Sequence, residues 1–225
     1  MKGFYEEHPK VLVSVDCIVF GFDNGKLKVL IGRRKMCPGL GQWSVYGGFV
    51  GNSESIDDAA TRVLSELTGL NDLFMCQVGA FGNVDRDPGE RVISIVYYSM
   101  INVKDYDKSL MEHHGLKWFA LDDIPPLYSD HRQMIYKALE MMREKISCEP
   151  ISFNLLPELF TLTQLQHVYE AICGEEVDKR NFRKRIKEMK FIEKTDQIDK
   201  KSSKRGAFMY RFNKNTYKND SNFKL

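Results

Sequence analysis

The sequence predicts an α+β body followed by a small winged helix-turn-helix domain. Three observations carry this. The first is the order strand, strand, helix, strands, helix over about the first 145 of 225 residues, within the usual size of one domain. The second is a change of grammar after Ser147-Cys148-Glu149-Pro150, where helix-turn-helix signals replace strands. The third is charge: residues 1–150 carry 17 Lys+Arg and 21 Asp+Glu, a balance of −4, whereas residues 151–225 carry 16 and 10, a balance of +6. The boundary is expected between 148 and 149.

Residues 11–20 are β-branched and apolar and read as a buried strand. Asp23-Asn24-Gly25 predicts a tight turn into a second strand, Leu27 to Arg33. After the loop Pro38-Gly39-Leu40-Gly41, Trp43 to Val50 is strand-like but interrupted by Gly47-Gly48. Residues 54–68 predict a helix capped by Ser53 or Asn52, with Asp57-Asp58 in the first turn, an apolar stripe of Ile56, Ala59, Ala60, Val63, Leu64 and Leu67, and Gly69 as the stop. Leu73 to Phe81 and Arg91 to Val103 read as strands around the loop 85–90, with His113-His114 in a further loop. Asp130 to Lys145 reads as the second helix.

Beyond the joint, Thr161 and Thr163 each precede a Gln by three residues, a capping-box pattern that predicts a helix over 163–172, closed by Gly174. Asp178 caps a basic helix over 179–189. Two strand-like pieces, Phe191 to Lys194 and Ala207 to Phe212, flank a Lys- and Ser-rich turn.

The composition, 43% hydrophobic and 28% charged, excludes disordered, collagenous and disulfide-scaffold proteins. No apolar run approaches the roughly 18 residues of a membrane span, and the first residues lack the apolar core of a secretion signal. The five cysteines (17, 37, 76, 148 and 173) are scattered without a Cys-x-x-Cys, which suits a reducing cytoplasm.

Gly48, Glu54, Arg62, Leu64, Glu66, Gly69 and Leu70 form a fixed frame of 23 residues. It resembles the Nudix box, Gly-x5-Glu-x7-Arg-Glu-U-x-Glu-Glu-x-Gly-U, with U aliphatic. The resemblance implies a Nudix α/β/α sandwich. Two positions depart from the box: Val63 and Leu67 stand where it has Glu. In active Nudix hydrolases those carboxylates hold magnesium, whose oxygen coordination Val and Leu cannot supply. The expectation is a Nudix fold without Nudix catalysis, cofactor or metal, with Arg62 and Glu66 paired on the helix surface.

The resemblance continues through the run 85–94, Lys117-Trp118-Phe119, residues 121–126, Asp130-His131 and the tail. Together these are similar to the Nudix-related transcriptional regulators. This implies a repressor or activator whose Nudix half senses a metabolite, whose winged helix binds operator DNA, and whose working unit is a homodimer. Family effectors include ADP-ribose and, in one branch, L-arabinose.

In the basic helix Phe182, Ile186 and Met189 make one apolar face, and long donors occupy the rest. Arg183 and Asn181 are expected at base edges, Lys179 and Lys184 at phosphates, with Arg180 and Arg185 beside them. Lys204 and Arg205 are expected on the wing. For the effector, Asp16, Tyr46, Asp85, Arg91 and Ser94 supply polar groups, and Phe49 or Phe81 an aromatic wall. Loss of the metal-binding carboxylates favours a neutral sugar such as L-arabinose, and so a role in carbohydrate metabolism. Arg33-Arg34 keeps ADP-ribose as the alternative. The competing readings are an active Nudix pyrophosphohydrolase of nucleotide sugars with an accessory nucleic-acid-binding domain, and a silent adaptor whose tail binds RNA or protein.

Overall fold

The computed structural model describes residues 3–105, 108–200 and 206–219. After a short 3-10 turn at Phe4–Glu7, the chain forms β1 (Leu12–Asp23), β2 (Lys26–Arg33), β3 (Trp43–Ser44), β4 (Tyr46–Phe49), α1 (Ile56–Thr68), β5 (Met75–Phe81) and β6 (Val92–Asn102). It continues with α2 (Lys108–His114), β7 (Leu116–Ala120) and α3 (His131–Ile146). One seven-stranded sheet runs β3-β2-β1-β6-β5, with β4 paired to β1 and β7 to β2. The later segment contains β8 (Phe160–Thr161), α4 (Leu162–Cys173), α5 (Lys179–Glu188), β9 (Ile192–Asp199), β10 (Ala207–Phe212) and α6 (Lys214–Asn219), with a small sheet ordered β8-β10-β9.

The chain divides into two compact units. The first is Met1–Val19, Leu30–Ser99 and Asp107–Ala138; the second is Phe20–Val29, Met100–Tyr106 and Leu139–Leu225. In the first, Val15, Ile18, Ile31, Ala59, Ala60, Val63, Leu64, Leu67 and Val96 are buried. In the second, Phe20, Val29, Met142, Ile146, Leu165, Val168, Ile172, Phe182, Ile186 and Phe191 are buried. Arg143 on α3 donates from Nε to the Ile172 carbonyl at 2.7 Å, tying α3 to the end of α4 within that unit.

Local chemistry places α1. Ser55, rather than Ser53 or Asn52, is its cap: the hydroxyl accepts from the Asp58 N–H, and the Asp58 carboxylate accepts from the Ser55 N–H. Gly69 closes it at φ 70°, a left-handed value that suits glycine. The Gly47-Gly48 interruption has a steric cause. β4 pairs with β1 so that Gly47 lies opposite Asp16 and Gly48 opposite Val15. A Cβ at Gly47 would collide with the Asp16 carboxylate and the Val15 carbonyl; one at Gly48 would press on Val63 of α1 at 3.1 Å. Bare backbone there lets helix and sheet close together. His113-His114, expected in a loop, end the short helix α2 instead. Its seven residues are too few to show a helical period.

In the second unit Thr161 caps α4 in a capping box with Gln164, so the helix starts at Leu162 and Thr163 lies inside it. α5 is short and carries six Lys or Arg. Asp178 caps it through the Asn181 N–H at 2.7 Å, and it buries Phe182 and Ile186. Burial of those two side chains, at about 1.5–3 kcal/mol each, outweighs like-charge repulsions of a few tenths each along the exposed faces. We predict that Thr161→Ala lowers unfolding free energy by about 1 kcal/mol in urea denaturation, whereas Thr163→Ala, which removes no cap and only the bond from Arg183, lowers it less. Equal losses at both positions would contradict this cap assignment.

Candidate functional site

The Nudix-like frame is occupied by internal pairs. Arg62 donates to Glu54 from Nε at 3.0 Å and from Nη2 at 2.7 Å, and from Nη2 to the Phe49 carbonyl at 3.1 Å. Its Nη1 lies 3.6 Å from Glu66, the expected i,i+4 pair. The Gly51 N–H donates to Glu54 at 2.7 Å. Hydrogen bonds from Arg62, then from Gly51, hold the Glu54 carboxyl down at about 2. Val63 and Leu67 are each 1% exposed, so both are packed into the core rather than presented to a ligand.

Behind this helix lies a charged cluster that sequence reasoning missed. Arg86, although on a loop, is buried. It forks onto Asp130 with two 3.0 Å bonds and lies 3.8 Å from Asp16, which also accepts from Ser94 Oγ at 2.5 Å. Next in chain to Asp130, His131 accepts the Val45 N–H at Nδ1 (3.2 Å), a bond open only to the neutral ring. Burial pushes its imidazole below the ordinary 6.5, against the opposing pull of Asp16 and Asp130. The signal was present in Asp85-Arg86-Asp87 and Asp130-His131, but loop charges ordinarily read as solvated.

The seven expected effector residues do not converge on one place. Asp16 and Ser94 are buried in the Arg86 cluster. Arg91 pins the loop before it, donating to the carbonyls of Gly82 and Asn83. Asp85 and Phe49 are exposed, and Phe81 is half-buried. Tyr46 alone of the seven lines a pocket of about 260 Å³ whose walls also include Arg33, Arg34, Lys35, Ser44 and His114. Tyr46 Oη lies 3.3 Å from His114 Nδ1, their rings packed edge to face. Burial, then Glu66, pushes the Tyr46 phenol up; burial, then His113 and Lys35, pushes the His114 imidazole down. The three consecutive cations are preset. Arg33 stacks on Trp43 and bonds the Gly41 carbonyl, Arg34 lies over Tyr128 and bonds the Pro38 carbonyl, and Lys35 bonds the His113 carbonyl. The pocket is therefore basic.

A second basic surface belongs to the C-terminal unit. A cleft of about 640 Å³ is lined by Thr163, Gln164 and His167 of α4, Lys179, Arg183 and Lys187 of α5, and Phe208 and Tyr210 of β10. Arg183 is half-buried and donates from Nη2 to Thr163 Oγ1 at 3.0 Å, while its buried Nε–H meets no acceptor among the described residues. Lys179, Arg180, Asn181, Lys184 and Arg185 are exposed around the same helix. Lys204 and Arg205 lie outside the described residues. Thr163, expected only as a capping candidate, and Phe208, expected only within a strand, become cleft residues when α4, α5 and the wing meet.

The neutral state of His131 has a measurable consequence. Its folded value is depressed, so the unfolded chain binds the extra proton first, and stability falls as pH drops below about 6.5. We predict a falling unfolding free energy on acidification and a shallower fall in His131→Gln. Parallel pH profiles for parent and variant would refute this.

Comparison with known proteins agrees with both halves. Residues 10–138 match the NUDIX domain, and residues 152–212 match the NrtR DNA-binding winged helix domain. The chain is 34% identical over 221 residues to the ADPR responsive transcriptional repressor NtrR of Acinetobacter baylyi, covering 96% of this chain and 87% of that protein. It is 34% identical over 128 residues to the ADP-ribose pyrophosphatase of Methanocaldococcus jannaschii, covering 57% of this chain and 72% of that one. Among solved structures, Shewanella oneidensis NrtR complexed with a 27mer DNA superposes with a TM-score of 0.84 at 27% identity, covering 95% of this chain and 97% of that chain. The NUDIX domain of the same protein complexed with ADP ribose gives 0.53 at 26% identity over 63% of this chain and 94% of that one. The chain thus belongs to the NrtR family, in which a Nudix domain is joined to a C-terminal NrtR-type winged helix domain.

Proposed function

We propose that this protein is a transcriptional repressor that binds operator DNA through the winged helix of residues 149–225 and responds to ADP-ribose held by the Nudix domain of residues 1–148. The observation that carries the DNA half is the α5 surface, where Arg183 is preset by Thr163 and ringed by exposed cations. A guanidinium fixed before contact loses less freedom on binding a base edge or phosphate. The working unit is a homodimer acting in the cytoplasm, since one winged helix spans only a half-site.

The effector is ADP-ribose rather than L-arabinose. The Acinetobacter relative is named for ADP-ribose and the Shewanella Nudix domain was crystallised with it; neither name mentions a sugar effector. The pocket carrying Arg33, Arg34 and Lys35 beside Tyr46 suits a diphosphate between two hydrogen-bonding sugars and gives a neutral pentose nothing that needs charge. Loss of the box carboxylates does not exclude a diphosphate, because preset cations can neutralise its charge without metal.

Hydrolysis is not the role. Two of the box's carboxylates are replaced by core side chains, and Glu54 is already engaged by Arg62. A hydrolase reading draws on the Methanocaldococcus pyrophosphatase match and on the retained Glu54 and Glu66. Magnesium-dependent turnover of ADP-ribose by the purified chain would establish it; bound ADP-ribose recovered intact supports the receptor.

Two measurements test the proposal. ADP-ribose raises the melting temperature of the full chain and L-arabinose does not, and Arg34→Ala abolishes the shift. A shift with arabinose alone reverses the effector assignment. Arg183→Ala weakens binding to a selected DNA duplex by about 1–3 kcal/mol with unchanged melting. Unaltered affinity removes Arg183 from the interface.

A further inference from the structure

The wing carries an exposed apolar pair. Phe208 on β10 and Ile198 on β9 lie directly opposite each other in the hairpin, and each is 48% exposed. Opposite residues share a face, so the two form one apolar spot on a strand pair whose other exposed residues are polar. Phe208 also borders the cleft that Lys179, Arg183 and Lys187 line from α5. The Lys194 ammonium sits 3.4 Å from the centre of the Phe208 ring.

An apolar ring with a cation on its face matches a surface on which uncharged hydrocarbon alternates with negative charge at short range. The sugar–phosphate backbone of DNA has that alternation: a C–H-rich deoxyribose beside each phosphate. A second copy of this chain fits poorly, because it would bring the same lysines and arginine against themselves. Among the described residues the cleft lining contains no carboxylate to offset them.

We propose that Phe208 is a DNA-contact residue whose ring packs on a deoxyribose of the duplex read by α5, with Lys194 facing the adjoining phosphate. This rests on the DNA-binding reading above. It adds to that reading an affinity component that salt does not screen, since apolar packing releases no counterions.

The test uses the full chain and a duplex selected by the unaltered protein from a random-sequence pool, with affinity followed by fluorescence anisotropy across a salt series. Phe208→Ala weakens binding about tenfold and Phe208→Leu recovers most of it. Neither changes the slope of log affinity against log salt, and Lys194→Gln lowers that slope by about one phosphate. Parent-level affinity in Phe208→Ala overturns the proposal and leaves the DNA-binding reading standing. Failure of the unaltered chain to enrich any duplex overturns both. Should Phe208→Ala melt early, Lys194→Gln decides: a reduced slope supports the contact, and an unchanged slope ends it.

Discussion

Arg86 buried between Asp16 and Asp130 is the constraint on which the Nudix half depends. A guanidinium this enclosed survives only because two carboxylates and well-aligned bonds offset its lost hydration; removing one partner of such a group costs about 3–5 kcal/mol. The cluster fixes the loop after β5, the middle of β1 and the start of α3 to one another. It also dictates β4. With Asp16 directly opposite Gly47, a side chain there would displace the carboxylate from its partners. Gly48 then admits α1 close enough for Val63 to touch the strand.

That closeness shapes the chemistry of the helix face. Two box positions that the hydrolase frame fills with metal-binding glutamates are here buried aliphatic side chains, and they contribute to the core instead. The remaining charges, Glu54, Arg62 and Glu66, satisfy one another on the outer surface. Polar capacity for a ligand shifts to the far ends of β2 and α2, where Arg33, Arg34, Lys35, Tyr46 and His114 meet around one pocket.

The winged helix follows a different economy of forces. Its helices are set by local caps, Thr161 with Gln164 and Asp178 with Asn181, and by a few buried side chains. Five cations of α5, Lys179, Arg180, Lys184, Arg185 and Lys187, are exposed. Concentrated positive charge destabilises an isolated domain slightly and favours association with a polyanion. The tether from Thr163 to Arg183 and the Lys194–Phe208 stack show how neutral neighbours set the direction of those charges.

The two-part organisation, the main strands and helices, the Nudix frame with its two departures, and the basic helix are all legible along the linear chain. Each is written in periodicity, caps or fixed spacing within about 25 residues, the range over which chain geometry alone relates positions. What distant residues do together emerges only on folding. Asp16, Arg86 and Asp130 span the Nudix half in sequence yet share one buried site, which also holds Ser94. Lys35 meets His113 across 78 positions, and Thr163 meets Arg183 across 20. Whether a charge is solvated, paired or aimed at a ligand depends on which surfaces fold over it, and a linear pattern holds no record of that.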